Sequence, residues 1–303
     1  MKKVQVLMSA YNGEKYISEQ INSILNQSYK EIYILIRDDG SDDGTLSILE
    51  QYSKRYDTIS YYQGENKGAA GSFFDLIQHA DREMDYYSFS DQDDYWLQDK
   101  IAHAVEYLEE NQTEREIPLL YCGNTIPVDT DLNPITSAVL HRNFKPSFGN
   151  AVIQNINTGC TCVVNRKLIE MVSEELPEFT VMHDWWLYLV AACFGKVYFD
   201  ENAYIWYRQH GNNTIGARTS RVEQWKYRIK NYRKNRGRIC RQNQEFKRIF
   251  QPIGKKCEWL DLVIDSPHSM KKRIEMIREP NIYRQRKSDD LIYKIMVLFG
   301  DTK

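Results

Sequence analysis

Arg37-Asp38-Asp39-Gly40-Ser41-Asp42-Asp43-Gly44 follows at once on the apolar run Glu31-Ile32-Tyr33-Ile34-Leu35-Ile36. The run reads as a strand bounded by turn residues, and residues 45–56 resume with helical spacing. The same alternation extends in both directions. Upstream, residues 3–9 form a short, mostly apolar strand ending in small residues. Residues 14–25 form a helix with Tyr16, Ile17, Ile21, Ile24 and Leu25 on one face. Downstream come a strand at 58–63, a loop at 64–71 and a helix at 72–80. A fourth strand at 86–90 ends in Asp91-Gln92-Asp93-Asp94, and 99–109 is helical again. Strands alternating with helices imply an α/β fold with a mostly parallel central sheet and helices on both faces. Such sheets bind ligands in the loops beyond the carboxyl ends of their strands.

After Asn111 the pattern changes. Residues 119–124 read as a strand, and 129–152 as a long irregular loop rich in Asp, Asn, Pro and Gly. Residues 157–165 read as a strand and 167–174 as a helix. Residues 185–194 form an apolar helix, and 196–200 and 203–208 two further strands. Beyond Thr219 the chain is basic and helical. The expected division is a catalytic domain at 1–218, with halves near 1–110 and 111–218, and a helical basic extension at 219–303.

The 303 residues are 42% hydrophobic and 27% charged, which supports one large core and excludes a disordered chain. The six cysteines, Cys122, Cys160, Cys162, Cys193, Cys240 and Cys257, make no CxxC pair and are expected as buried thiols rather than a zinc site. Cys160 and Cys162 would share a face if both lay on a strand. No signal peptide and no run of eighteen apolar residues is found, so an intracellular chain is expected. Charge is uneven. Residues 221–303 carry 22 Lys plus Arg against 10 Asp plus Glu, whereas the remainder carries 18 against 32. This asymmetry suits an anionic partner for the extension, or docking on an acidic surface.

Acidic residues fall at three predicted element ends: Asp38-Asp39, Asp91 to Asp94, and Asp184. Crowded carboxylates repel unless a cation or solvent separates them. Hard oxygen ligands in a short run suit Mg2+ or Mn2+, which can bridge nucleotide phosphates. Local capping and turn chemistry also attract Asp, and Asp42 and Asp43 are assigned to it. Neither GxGxxG nor GxxxxGK[ST] is present, so this is not a dinucleotide or P-loop fingerprint. Tyr11-Asn12-Gly13 instead offers a ring and backbone groups beside the first strand, and Asp39 a carboxylate for a base N–H.

Taken together, Ser9-Ala10-Tyr11-Asn12-Gly13, Ile24-Leu25-Asn26-Gln27-Ser28-Tyr29, Asp38-Asp39-Gly40-Ser41-Asp42-Asp43-Gly44-Thr45, Asn66-Lys67-Gly68 and Asp91-Gln92-Asp93-Asp94 resemble family 2 glycosyltransferases in order and spacing. The resemblance runs over residues 1 to about 215. It is nearest the bacterial rhamnosyltransferase-like branch, through Met182-His183-Asp184-Trp185-Trp186 and Tyr207-Arg208-Gln209-His210. It implies a GT-A fold and a metal-dependent, inverting enzyme.

By that resemblance, Tyr11 and Asp39 meet a pyrimidine. Ala10, Asn12, Lys67, Gly68 and Gln92 belong to the nucleotide-sugar site, as does Asp91, which meets ribose or the metal's water shell. Asp93 is the metal ligand, with His210 near the metal or diphosphate. Arg208 either neutralises phosphate or makes a salt bridge. Asp184 is the catalytic base. His183 is read as packed as readily as catalytic, and at most one of Trp185 and Trp186 touches the acceptor. No QxxRW motif follows, so one sugar per binding event is expected rather than processive synthesis.

The implied cofactor is Mn2+ or Mg2+. The implied donor is dTDP-L-rhamnose, with UDP-glucose, UDP-galactose or UDP-N-acetylhexosamine as alternatives. The acceptor is a saccharide, lipid-diphosphate-linked in one reading, of a bacterial surface or capsular polysaccharide. The extension is expected to contact an anionic membrane at the inner face of the cell membrane, or else to pack on the catalytic domain. Trp225, Tyr227, Ile229 and Tyr232 among Lys226, Arg228, Lys230, Arg233 and Lys234 have an interfacial composition. Nucleic acid is not expected, because the body is acidic. A nucleotidyltransferase and a non-catalytic carbohydrate-binding protein are the competing classes.

Overall fold

A computed structural model describes residues 1–111, 117–135, 140–141, 143–209 and 237–300. The first half alternates as the sequence predicts: β1 (Val4–Ala10), α1 (Ile17–Leu25), β2 (Ile32–Asp38), α2 (Thr45–Arg55), β3 (Ile59–Gln63), α3 (Gly68–His79) and β4 (Tyr86–Ser90). These strands pair in parallel in the order β3-β2-β1-β4, with Val4 opposite Ile32 and Ala10 opposite Asp38. β1 is central, and a strand covered on both faces reads as a near-continuous apolar run. Its residues divide by alternation. Val4, Val6 and Met8 enter one core with Ile17, Ile21, Leu49 and Ile101, while Leu7 enters the other with Phe73, Leu76 and Ile77.

The second half contains β5 (Tyr95–Trp96), α4 (Lys100–Asn111), β6 (Leu119–Val128), α5 (Phe148–Ala151), β7 (Val163–Asn165), α6 (Arg166–Glu174), α7 (His183–Phe194) and β8 (Lys196–Arg208). It extends the sheet in the order β4-β7-β6-β8-β5 to eight strands. β7 runs antiparallel to both β4 and β6, β6 and β8 are parallel, and β5 runs antiparallel to β8. The sheet is therefore mixed, with its antiparallel pairs confined to this half.

Two local expectations change. The strand read at 157–165 is a 3-10 turn (Gly159–Thr161) followed by the short β7, so Cys160 and Cys162 do not share a strand face. The side chain of Asn165 ends β7 by accepting from Leu168 N, which caps α6. The strands read at 196–200 and 203–208 are one strand. Its Asp200 faces Gly123 and its Ala203 faces Asn124, so Glu201 and Asn202 are bulged out between them.

The basic extension supplies α8 (Arg238–Phe250), α9 (Lys255–Asp265), α10 (Met270–Arg278) and α11 (Lys287–Phe299). These helices pack on the body. Phe246 meets Trp186 edge-on at 5.7 Å between centroids, and Asn243 Nδ2 donates to Val152 O at 2.8 Å. Gln242 Oε1 accepts from Thr180 Oγ1 and Val181 N. Burying one such Phe is worth about 2–3 kcal/mol. All six cysteines are free thiols, four of them buried. Among the described residues no helix is long and apolar enough to cross a membrane. His210 and the aromatic and basic segment from Trp225 to Lys234 lie outside the described residues.

Candidate active site

The strand-end turn after β2 is closed by its own hydrogen bonds. Asp39 N donates to Ala10 O at 2.7 Å, joining the ends of β1 and β2. The Asp38 carboxylate accepts from Ser41 N at 3.0 Å and from the Ser41 hydroxyl. Asp43 accepts from Thr45 N and Glu14 N, both at 3.0 Å, as a capping residue does. Asn12, in the left-handed region at φ 49°, accepts from Asp42 N on its Oδ1 at 3.0 Å and donates from its own N–H to Ser41 Oγ at 2.9 Å. Asp39 is buried and pairs with the guanidinium of Arg37. Its oxygens also accept from Lys67 N at 2.8 Å and Gly68 N at 2.9 Å. The Lys67 amine is held by Asp75, which also takes Arg37 Nε at 3.3 Å and Tyr62 OH at 2.8 Å.

The turn after β4 is different. Gln92 forms a two-point amide pair with the Tyr11 backbone: Oε1 accepts from Tyr11 N and Nε2 donates to Tyr11 O, both at 2.8 Å. A Cβ at Gly13 would lie 2.1 Å from Gln92 Oε1, so glycine lets the two loops close. The acids flanking Gln92 crowd one another. Asp91 is half-buried and its carboxyl is pushed up to about 7, by burial first and then by Asp93 and Asp184. Asp94 is fully buried and pushed well up by burial and by Asp91 and Asp93; Arg208 N donates to its Oδ1 at 3.2 Å, and the Cys160 side chain hydrogen-bonds to it.

Asp91, Asp94 and Cys160 each bring one ligand atom within 4.8 Å of the others. A divalent cation fits here, because it would offset the burial and like charge that raise the Asp91 and Asp94 carboxyls, and the donor set is oxygen-rich. Beneath lies Lys100, whose Nζ donates to Ser88 Oγ at 2.7 Å and sits 3.5 Å over the Trp96 ring. Burial pushes its amine down to about 7.

A cavity of about 400 Å³ opens over both turns, lined by Ser9, Tyr11, Asp39, Asn66, Gly68, Ala69, Asp91, Gln92, Asp93 and Tyr207. Six of the sequence candidates, Tyr11, Asp39, Gly68, Asp91, Gln92 and Asp93, thus come together. Ala10, Asn12 and Lys67 border it through the backbone hydrogen bonds above. Arg208 is fully buried beside it. Its guanidinium pairs with Glu19, reaches Thr130 O, donates from Nε to Asp93 O at 2.9 Å and stacks 4.5 Å over the Tyr16 ring. This is the salt-bridge alternative of the sequence, and it fixes the Asp93 backbone.

Asp184 stands in the first turn of α7, 8% exposed. It accepts from Trp185 N at 2.6 Å and Gly159 N at 3.2 Å. Burial pushes it up to about 6, while those donors and the Asn155 side chain pull the other way. Its charge in turn raises Asp91 across the sheet. His183 is stacked on Phe73 at 4.0 Å between centroids and lies 5.8 Å from Phe89. Burial pushes it down to about 3, so it is neutral and packed. Trp185 donates from Nε1 to Ala151 O at 2.6 Å, and Trp186 is fully buried; both belong to the core.

Asp94, Cys160, Asn66, Ser9 and Tyr207 were not singled out by sequence. Asp94, Asn66, Ser9 and Tyr207 sit inside quoted motifs. Cys160 had no local signal, since only β7 beside β4 brings it to Asp94.

Residues 5–172 match the model described as Glycosyl transferase family 2. The dTDP-rhamnosyl transferase RfbG of Shigella flexneri is 34% identical over 265 residues, covering 82% of this chain and 88% of the relative. An uncharacterized glycosyltransferase of Rickettsia typhi, RT0329, is 26% identical over 226 residues, covering 73% and 69%. Among solved structures, S. aureus TarS 1-349 in complex with UDP-GlcNAc superposes with a TM-score of 0.60 at 14% identity, over 99% of this chain and 89% of that one. The mannosyltransferase PcManGT from Pyrobaculum calidifontis, in complex with GDP-Man and Mn2+, gives 0.55 at 14% identity, over 99% and 85%. These two share the fold. With its parallel first half, its two acidic strand ends and the matched span, this chain has a GT-A fold and belongs to glycosyl transferase family 2.

Proposed function

We propose that the protein is an inverting glycosyltransferase that moves a sugar from a nucleoside diphosphate to a hydroxyl of a saccharide acceptor. The observation that carries this is the buried Asp184 carboxyl, poised at about 6 and electrostatically linked to Asp91 in the cavity wall. A base near neutral pH is mostly ionised yet still takes up a proton. In this reading the base and ribose lie along Tyr11, Asn66 and Gly68. Asp39 holds the 67–68 loop in place and faces the pyrimidine, and Asp91 reaches ribose or the water shell of a metal.

Asp184 accepts the acceptor hydroxyl's proton. The acceptor oxygen bonds to the anomeric carbon as the carbon–oxygen bond to the diphosphate breaks on the opposite face. Asp93 would hold Mn2+ or Mg2+, with His210 as a further ligand, Asp91 at the ion's water shell, and Asp94 and Cys160 behind them. When bound, such an ion supplies charge for the leaving diphosphate. Arg208 holds the Asp93 backbone, and through it the ligand's position.

The donor is drawn from UDP-glucose, UDP-galactose, UDP-N-acetylhexosamine and dTDP-L-rhamnose. The fold shared with TarS supports the wider UDP-sugar set, and the likeness to RfbG supports the rhamnosyl donor. The acceptor is a lipid-diphosphate-linked saccharide of a surface polysaccharide, met at the cytoplasmic face of the membrane, with the extension as the membrane contact. A donor panel with Mn2+ or Mg2+, scored by released nucleoside diphosphate and by nucleotide binding, tests this. One metal-dependent donor is expected. Metal-dependent binding of none of the nucleotides would overturn the reading.

A further inference from the structure

Among the described residues, the last two helices of the extension bury one face against the body. α10 and α11 form an antiparallel hairpin, closed where Arg273 donates from Nε to Ser266 O at 3.0 Å and from Nη1 to Leu298 O at 3.4 Å. Met276, Tyr293 and Val297 point inward and are buried in the core shared with α7. The outer face is apolar. On α11, Leu291, Ile295, Leu298 and Phe299 follow at i, i+4, i+7 and i+8, with exposures of 62%, 46%, 40% and 75%. On α10, Met270 and Ile274 continue it at 56% and 40%. Helical residues at these spacings share one side.

Contiguous exposed apolar side chains of this kind mark an interaction surface. The charges around them select the partner. Between residues 268 and 300 the exposed charged residues are Lys271, Arg278 and Lys287, all basic. The four acids of that span, Glu275, Glu279, Asp289 and Asp290, are only partly exposed. Glu275 is paired with Lys272 and Asp290 with Lys294. Apolar side chains on one helical face, flanked by cations, are the composition of a helix lying in an anionic lipid interface.

We propose that the outer face of the α10–α11 hairpin docks on an anionic lipid bilayer, with Leu291, Ile295 and Phe299 entering the headgroup boundary and Lys271, Arg278 and Lys287 at its rim. This deepens the reading of the extension given above and moves the contact from the segment at 225–234 to the hairpin. Vesicle binding needs no sugar transfer, so its failure would leave the transferase reading standing.

The test is co-sedimentation of the full chain with vesicles of phosphatidylcholine alone and of phosphatidylcholine with phosphatidylglycerol. The wild type should partition onto the mixed vesicles, and more weakly as salt rises. Leu291→Glu/Phe299→Glu should lower that partition about tenfold or more. Lys271→Gln/Arg278→Gln/Lys287→Gln should lower it about three- to tenfold and abolish the preference for phosphatidylglycerol. Circular dichroism and melting curves of both variants should match the wild type, since the substituted side chains face outward. Equal binding by the wild type and both variants would overturn the proposal, as would absence of wild-type binding. A dimer dissolved by Leu291→Glu/Phe299→Glu would overturn it in favour of a second copy. A melting temperature lowered by that variant, with vesicle binding unchanged, would overturn it in favour of a packing role within the chain.

Discussion

Two acidic turns stand on either side of β1, at the carboxyl ends of β2 and β4, and they differ in how their charge is met. In the first, Asp38, Asp39 and Asp43 are satisfied by backbone N–H groups, hydroxyls and the Arg37 guanidinium. In the second, burial and like charge hold Asp91 and Asp94 above the usual carboxylate range. Similar strings of Asp therefore do different work. A carboxylate saturated by the protein builds the wall of a site, whereas crowded carboxylates create a demand for an outside cation. Asp184 is a third case: its donors fix its position, yet burial keeps its proton exchangeable near neutral pH.

The largest expected effect probes Asp184. Asp184→Asn should lower transfer by about 10³-fold or more, with donor affinity, measured by calorimetry, within about twofold. Loss of donor binding in a folded variant would give Asp184 another role. The pH profile sharpens the same point. Activity needs the ionised carboxylate, and its pKa is raised to about 6. The rate should therefore be lost as pH falls through 6 and level off above it, and the limb should be missing from the residual rate of Asp184→Asn.

Asp39 and Asp93 then set the two turns against each other. Asp39→Ala leaves Arg37, which is 1% exposed, with Asp75 at 3.3 Å as its remaining acidic partner. Breaking such a buried pair should cost about 3 kcal/mol of stability in urea unfolding. Asp93→Ala should change stability by less than about 0.5 kcal/mol while weakening metal-dependent donor binding by about 10²-fold. A reversal of these two results would collapse the distinction between the turns. The smallest effect concerns the bridge between them. Gln92→Ala removes two hydrogen bonds to the Tyr11 backbone, and should raise the donor KM about tenfold with kcat little changed.

The parallel half was legible because each of its elements is local. Apolar runs broken by Gly and Asp gave β1 to β4 nearly to the residue, and the motifs at their ends named Tyr11, Asp39 and Asp91 to Asp93. The second half was harder to read. β7 is three residues long, too short for period-two alternation to separate it from the 3-10 turn before it. β8 was split in two because Glu201 and Asn202 look like a turn but form a bulge. The roles of Arg208 and Cys160 depend on partners far away in sequence, Glu19 and Asp94. Local pattern could offer a salt bridge for Arg208 but not its partner, and it gave no hint of Cys160 beside the acids.

The most direct test of the contrast between the turns is calorimetric titration of UDP into the wild type and into Asp93→Ala, each with and without Mn2+. The account predicts binding by the wild type that requires Mn2+, and binding by Asp93→Ala that is weak and indifferent to the metal. Equally tight, metal-independent binding by both proteins would contradict it, and would make the second turn, like the first, a piece of scaffold.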